Sequence, residues 1–206
     1  MKQLTIAMII LGGMAAQHAV AAPKGDAEKG KQIVAQVCLA CHGMDGNGTE
    51  PTNPEFPKIA GKQGDYLLKQ LKDFKSGKRK SDVMSGLVAG LSPDDMANLA
   101  VYFSMQKNKP GTVKSPELVE PGRKFYNEGS PDNGVPACSG CHLPDGTGTD
   151  KYPHLAGQHA AYTLQQLKRF ASSERENDRG LVMQSLAMRM SEQEMKAVSE
   201  YIMGLK

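Results

Sequence analysis

All four cysteines of the 206-residue chain fall in two copies of one pattern, Cys38-Leu39-Ala40-Cys41-His42 and Cys138-Ser139-Gly140-Cys141-His142. Two thiols three positions apart stand on one turn of helix, where they can add to the two vinyl groups of one porphyrin. The adjacent histidine then lies under the iron as an axial ligand. The pattern is the attachment signature of c-type haem. Its duplication predicts two covalently bound haem c groups, on Cys38 with Cys41 and on Cys138 with Cys141, with His42 and His142 as metal ligands. A redox disulfide would need the hydrophobic strands of a βαβ unit, and none surrounds either copy. A zinc site would need a second ligand pair nearby, whereas these pairs stand 100 positions apart.

An iron held by one histidine needs either a second ligand, for electron transfer, or an open face, for chemistry. With the cysteines used, methionines and the remaining histidines are the candidates. His154 and His159 occur only in the second half, where Lys58 and Gln63 are their counterparts, so they read as surface polar residues. Met44 lies too close to His42 to cross to its other face. Met96 and Met195 follow capping acids and pack, and Met105 and Met203 read as core of the last helices. Met188 aligns with Ala89. Met84 and Met183 are left, each eight residues before a Ser cap in what reads as a loop. The expected ligand sets are His42 with Met84 and His142 with Met183. The thioether is a soft ligand that favours ferrous iron and raises the potential. Pro57 and Pro153, aligned in the repeat, are candidates to offer a carbonyl to the second ring nitrogen of each histidine.

The elements that must hold these residues repeat with them. Phe56-Pro57-Lys58-Ile59-Ala60-Gly61 matches Tyr152-Pro153-His154-Leu155-Ala156-Gly157, and Tyr66, Leu71 and Phe74 match Tyr162, Leu167 and Phe170 at the same offset of 96. A first helix begins at Asp26 in one half and at Glu120-Pro121-Gly122 in the other. A middle helix covers 65–75 and 161–171, and last helices open at Ser92 and Ser191 with acids three positions on. No alternating strand pattern interrupts them, so the fold class is all-α, in two tandem domains, the first over 22–106 and the second over 117–206, joined by a Pro-rich extended linker over 107–116.

Met1-Lys2, an apolar run from Leu4 to Met14 and Ala19-Val20-Ala21 read as a secretory signal peptide over residues 1–21, hence export to the periplasm. The apolar run is shorter than the roughly 20 residues of a membrane span. The net charge of +3 gives no sign of a nucleic-acid binder. From Ala22 to Val113 the chain holds 13 Lys/Arg against 10 Asp/Glu, and from Lys114 onward 11 against 12. This asymmetry predicts different partners for the two halves, with the stretch of Lys75, Lys78, Arg79 and Lys80 docking an acidic one.

With Cys-x-x-Cys-His, Asp45-Gly46-Asn47-Gly48, Phe56-Pro57-Lys58-Ile59-Ala60-Gly61, Tyr66-Leu67-Leu68-Lys69-Gln70-Leu71, Pro136-Ala137-Cys138 and Gly157-Gln158-His159-Ala160-Ala161-Tyr162 in view, the chain resembles the di-haem cytochrome c4 family of periplasmic bacterial electron carriers. The resemblance implies two class I cytochrome c domains related by a pseudo-twofold axis, each enclosing one haem, with the propionate edges meeting near the interface. It implies a respiratory electron carrier rather than an enzyme, taking electrons from a quinol-oxidising cytochrome bc complex towards a haem-copper terminal oxidase. Loose membrane association and a monomer or weak dimer go with it. The basic stretch from Lys75 to Lys80 is shorter than the family leads one to expect. A di-haem peroxidase and an electron-relay subunit of a periplasmic dehydrogenase are the competing functions; the first needs an iron with a releasable distal face.

Mass spectrometry of the exported chain should find two covalent haems, and replacing Cys41 or Cys141 should impair attachment to that half alone. A mass gain of a single haem would sink the two-site reading.

Overall fold

The computed structural model describes residues 24–48 and 56–206, so the signal peptide expected over 1–21 lies outside the described residues. The first half is helical. Asp26 caps α1 (Ala27–Ile33), its carboxylate accepting from the N–H groups of Glu28 and Lys29 at 2.9 and 3.2 Å. A π-helical turn over Val34–Cys38 leads into the single turn of α2 (Leu39–His42). Then follow α3 (Gly64–Lys75), α4 (Asp82–Ala89) and α5 (Pro93–Ser104). The second half repeats the order with α6 (Val119–Glu128), α7 (Ser139–His142), α8 (Ala160–Ala171), α9 (Val182–Ala187) and α10 (Glu192–Gly204). A 3₁₀ turn over Pro116–Leu118 starts α6 before the expected Glu120, and Pro121 fits its first turn, where no N–H is needed. Both Ser92 and Ser191 complete capping boxes, the shorter Asp95 serving as well as Glu194. Among the described residues there is no strand, only one antiparallel bridge between Ser130 and Val135.

Each half has its own core. Val34, Leu67, Leu99, Ala100 and Phe103 form the first, and Phe125, Tyr126, Leu167, Met195, Val198 and Ile202 anchor the second. Met96 and Met203 are buried as expected, but Met105 is 70 % exposed, because α5 ends at Ser104 and the next residue turns outward. In each half the first helix crosses the last at a glycine. A Cβ on Gly30 would lie 2.3 Å from the Asn98 carbonyl oxygen, and one on Gly122 2.1 Å from that of Ala197. Only a residue without a side chain lets these backbones meet.

The connection between the halves is an extended strap tied to both. Asn47 donates to the Lys107 carbonyl and accepts from the Lys109 N–H at 2.9 and 2.8 Å. Asn108 donates to Ala156 O of the second half at 2.9 Å. Further on, Gly111 N–H donates to Met203 O, and the N–H groups of Lys114 and Ser115 donate to the buried Glu200 carboxylate.

Gly122→Ala should force the α6–α10 crossing apart and lower the stability of the haem-loaded protein by about 3 kcal/mol. Chemical denaturation of the loaded chain checks this, and an unchanged midpoint would show that the crossing tolerates a methyl group.

Candidate functional site

The two Cys-x-x-Cys-His segments are built alike. His42 closes α2, Gly48 N–H donates back to the His42 carbonyl at 2.8 Å, and Ile59 and Ala60 both donate to Gly46 O. This folds the following chain over the histidine and brings the Pro57 carbonyl 2.9 Å from its Nδ1. In the second half Gly148 donates to His142 O, Leu155 and Ala156 donate to Gly146 O, and the Pro153 carbonyl stands 2.9 Å from His142 Nδ1. The expectation for both prolines therefore matches the geometry. Gly43 ends α2 at φ +71°, and Leu143 takes the same turn at φ +67°, a conformation that costs a residue with a Cβ about 1–3 kcal/mol.

Burial lowers the pKa of both imidazoles, against the opposing effect of the proline carbonyls, which favours the neutral ring that a metal takes. Burial, with Cys41 adding to it, pushes the Cys38 thiol up to about 11, and burial does the same for Cys138. Cys38 and Cys138 thus resist becoming the thiolates that disulfide exchange requires. Among the described residues no group of three or more His, Cys, Asp or Glu is placed to hold a metal ion by itself.

One continuous cavity of ≈ 970 Å³ is lined by both motif histidines, all four cysteines, Met84 and Met183. Phe74 and Phe170 also line it. Met84 and Met183 stand on helices rather than in loops: Ser81 caps α4 by accepting from Met84 N–H at 3.2 Å, and Asp178 accepts from Met183 N–H at 2.7 Å ahead of α9. The polar residues before each methionine signalled caps, which end the loop sooner than the charge pattern indicates. Met190 lines the same cavity, but its counterpart is Leu91, which cannot ligate.

Between the two sites lies a polar interface that sequence reasoning missed. Arg79 donates to Gln70 Oε1, Tyr162 Oη and Gln166 Oε1 at 2.8, 2.7 and 2.9 Å. Its counterpart Arg175 donates to Tyr66 Oη, Gln166 Oε1 and Asn177 Oδ1 at 3.2, 2.9 and 3.0 Å. Each guanidinium also lies over a ring of its own half, Phe74 or Phe170, at 4.6 and 4.4 Å. Arg79 thus leaves the expected docking stretch: it is buried between the halves, not solvated. His159 is also buried and His154 is bonded across the halves, so neither is the surface residue its one-sided occurrence suggested. The repeat of Arg79 as Arg175 at the offset that relates Tyr66 to Tyr162 was the available signal.

The interface is rich in buried cations. Lys62, Arg79 and Arg175 line the cavity, and the buried carboxylate of Asp73 pairs with Lys69. Burial holds the Lys62 ammonium down to about 8. Burial works to raise the Tyr66 phenol, but Arg175 and Arg79 beside it, with Lys62, outweigh that and bring it to about 8. A cavity with apolar walls, attachment thiols, neutral imidazoles, thioethers and cations at its polar seam fits a porphyrin with an iron centre and acidic propionates. Helical halves, each with such a set, define a protein of two attached haems.

Comparison with known proteins agrees. A family model described as cytochrome c matches residues 27–106 and 119–206. Cytochrome c4 of Pseudomonas aeruginosa is 44% identical over 207 residues, spanning 99% of this chain and 98% of that protein. The crystal structure of reduced recombinant cytochrome c4 from Pseudomonas stutzeri aligns with a TM-score of 0.83 at 44% identity, over 88% of this chain and 100% of that one. A thiosulfate dehydrogenase electron acceptor of Thiomonas intermedia is 34% identical over 80% of this chain and 76% of its own length. The chain belongs to the cytochrome c family, in its di-haem cytochrome c4 branch. It is a di-haem electron carrier of two cytochrome c domains with covalently bound haem c.

Arg79→Met should strip Tyr162 Oη of its buried donor and take one of two donors from both Gln70 and Gln166, at a cost of about 3 kcal/mol in denaturant unfolding of the loaded protein. A loss within experimental error would mean that water replaces the guanidinium without penalty.

Proposed function

We propose that thioether bonds to Cys38 and Cys41 and ligation by His42 and Met84 hold the first haem, and that Cys138, Cys141, His142 and Met183 hold the second. The observation that carries this reading is the pairing: in each half a neutral histidine tied to a proline carbonyl and a capped methionine line one cavity. Haem supplies an iron that stores one electron at a time, and a closed His/Met set leaves no position for a substrate. The chain's own part is to shield the sites from water, fix both histidine rings and hold the two halves in one orientation through the Arg79 and Arg175 networks.

The carrier would work in the periplasm, where the leader directs it, between a quinol-oxidising cytochrome bc complex and a haem-copper terminal oxidase. Among the described residues no helix is long and apolar enough to cross a membrane. Of the basic stretch, Lys75 donates to the Leu91 carbonyl and Arg79 is buried, while Lys78 and Lys80 stay exposed. Val83 and Leu87 of α4 line the cavity itself, so docking rests on the two exposed lysines. They suit a transient, acidic redox partner, whose approach the charges steer. The likeness to a thiosulfate dehydrogenase electron acceptor favours a second reading, in which the donor is a periplasmic dehydrogenase.

A redox titration followed by optical and magnetic spectra should show two low-spin, six-coordinate irons and no turnover of peroxide. Met84→Ala should abolish one of the two thioether-to-iron absorption features and lower the potential of that haem alone. Retention of both features would falsify the Met84 assignment, and peroxide turnover by the unaltered protein would favour the peroxidase.

A further inference from the structure

The peptide that ties down each motif histidine is itself held by the other half. Pro57 O, beside His42 Nδ1, belongs to the amide whose N–H is that of Lys58, and this N–H donates to Gln158 Oε1 at 2.9 Å. Gln158 Nε2 in turn donates to Lys58 O at 2.8 Å, and Gln158 Oε1 also accepts from His159 N–H at 3.0 Å. In the second half Pro153 O, beside His142 Nδ1, belongs to the amide of His154, whose N–H donates to Gln63 Oε1 at 2.9 Å. Gln63 Nε2 is fixed on Thr147 O at 2.8 Å, and Lys62 Nζ donates to His154 O at 2.8 Å. Gln158 is buried, and Gln63 sits at the N-terminus of α3.

An amide that donates through its N–H becomes a better acceptor at its own oxygen, so bonds in such a chain strengthen one another. A stronger acceptor on Nδ1–H makes an imidazole more basic towards its metal and so favours the oxidised iron. We infer that the potentials are tuned crosswise: Gln158 of the second half sets the donor strength of His42, and Gln63 of the first half sets that of His142. Both glutamines are positioning residues that act through a peptide and a histidine. The inference rests on the ligation by His42 and His142 proposed above.

The test uses the full-length, haem-loaded protein and the variants Gln158→Leu, Gln63→Leu and Gln158→Glu. Proton NMR of the reduced form reads the Nδ1–H resonance of each axial histidine, and an NMR redox titration reads each haem through its assigned methyl signals. Gln158→Leu should move the His42 resonance upfield and raise the reduced-to-oxidised ratio of the first haem at fixed potential by about two- to fourfold. The second haem should not move. Gln63→Leu should do the same to His142 and the second haem only. Gln158→Glu keeps an acceptor for Lys58 N–H and should leave the His42 resonance at or downfield of its original place. If Gln158→Leu does not fold, Gln63→Leu and Gln158→Glu still decide. Shifts in the variant's own half, in both haems equally, or in neither overturn the crossed tuning, since loosening of the interface alone would not select the opposite haem. Absence of ring-current-shifted histidine resonances from the unaltered protein would instead remove the ligation itself, and the relay with it.

Discussion

A buried imidazole that offers one nitrogen to a metal holds its ring in place only if the other nitrogen is tied down. In each half that tie is a proline carbonyl 2.9 Å away. Much of the surrounding chain follows from it. The carbonyl reaches the ring because the residues after the motif turn back at Gly46 and Gly48, or at Gly146 and Gly148, all at positive φ. At the first of these turns one half supplies Gly43, whereas the other forces Leu143 into the same unfavourable backbone. The geometry is kept even where the residue resists it, so the histidine's orientation outweighs the local strain.

The second requirement is charge. An interface between two apolar pockets would ordinarily exclude Lys62, Arg79 and Arg175, since removing cations from water is costly unless they are paired and hydrogen-bonded. Here phenols, amides and backbone carbonyls satisfy their donors, while the positive field persists and draws down the Tyr66 phenol even against its burial. A cofactor that brings its own carboxylates complements that field. The duplication doubles the arrangement at little cost, because each arginine meets residues of both halves.

What the sequence made legible was whatever is local or repeated. Asp26, Ser92 and Ser191 announce helix starts through the chemistry of a cap, and the motif cysteines and histidines announce attachment through spacing. Pro57 and Pro153 could be picked out because duplication aligned them. Several errors concern contacts that exist only once the halves meet. A basic run such as Lys75 to Lys80 reads as solvated until Arg79 is seen to turn inward to Tyr162, 83 positions away. His159 reads as a surface residue because its counterpart is Gln63, yet it is buried. Met84 and Met183 read as loop residues because charged and glycine-containing stretches masked the short helices they stand on.

The strap has a kinetic meaning. Because Asn47, Asn108, Gly111 and Glu200 fasten it at both ends, the halves are not tethered beads that must find each other by diffusion. Passage of an electron from one half to the other would then be a first-order event inside a fixed frame, indifferent to protein concentration and weakly sensitive to ionic strength, since buried charges are poorly screened. Exchange with a charged partner would be second-order and would feel salt strongly. The same molecule would therefore keep a constant internal clock while its traffic with the outside rose and fell with the medium.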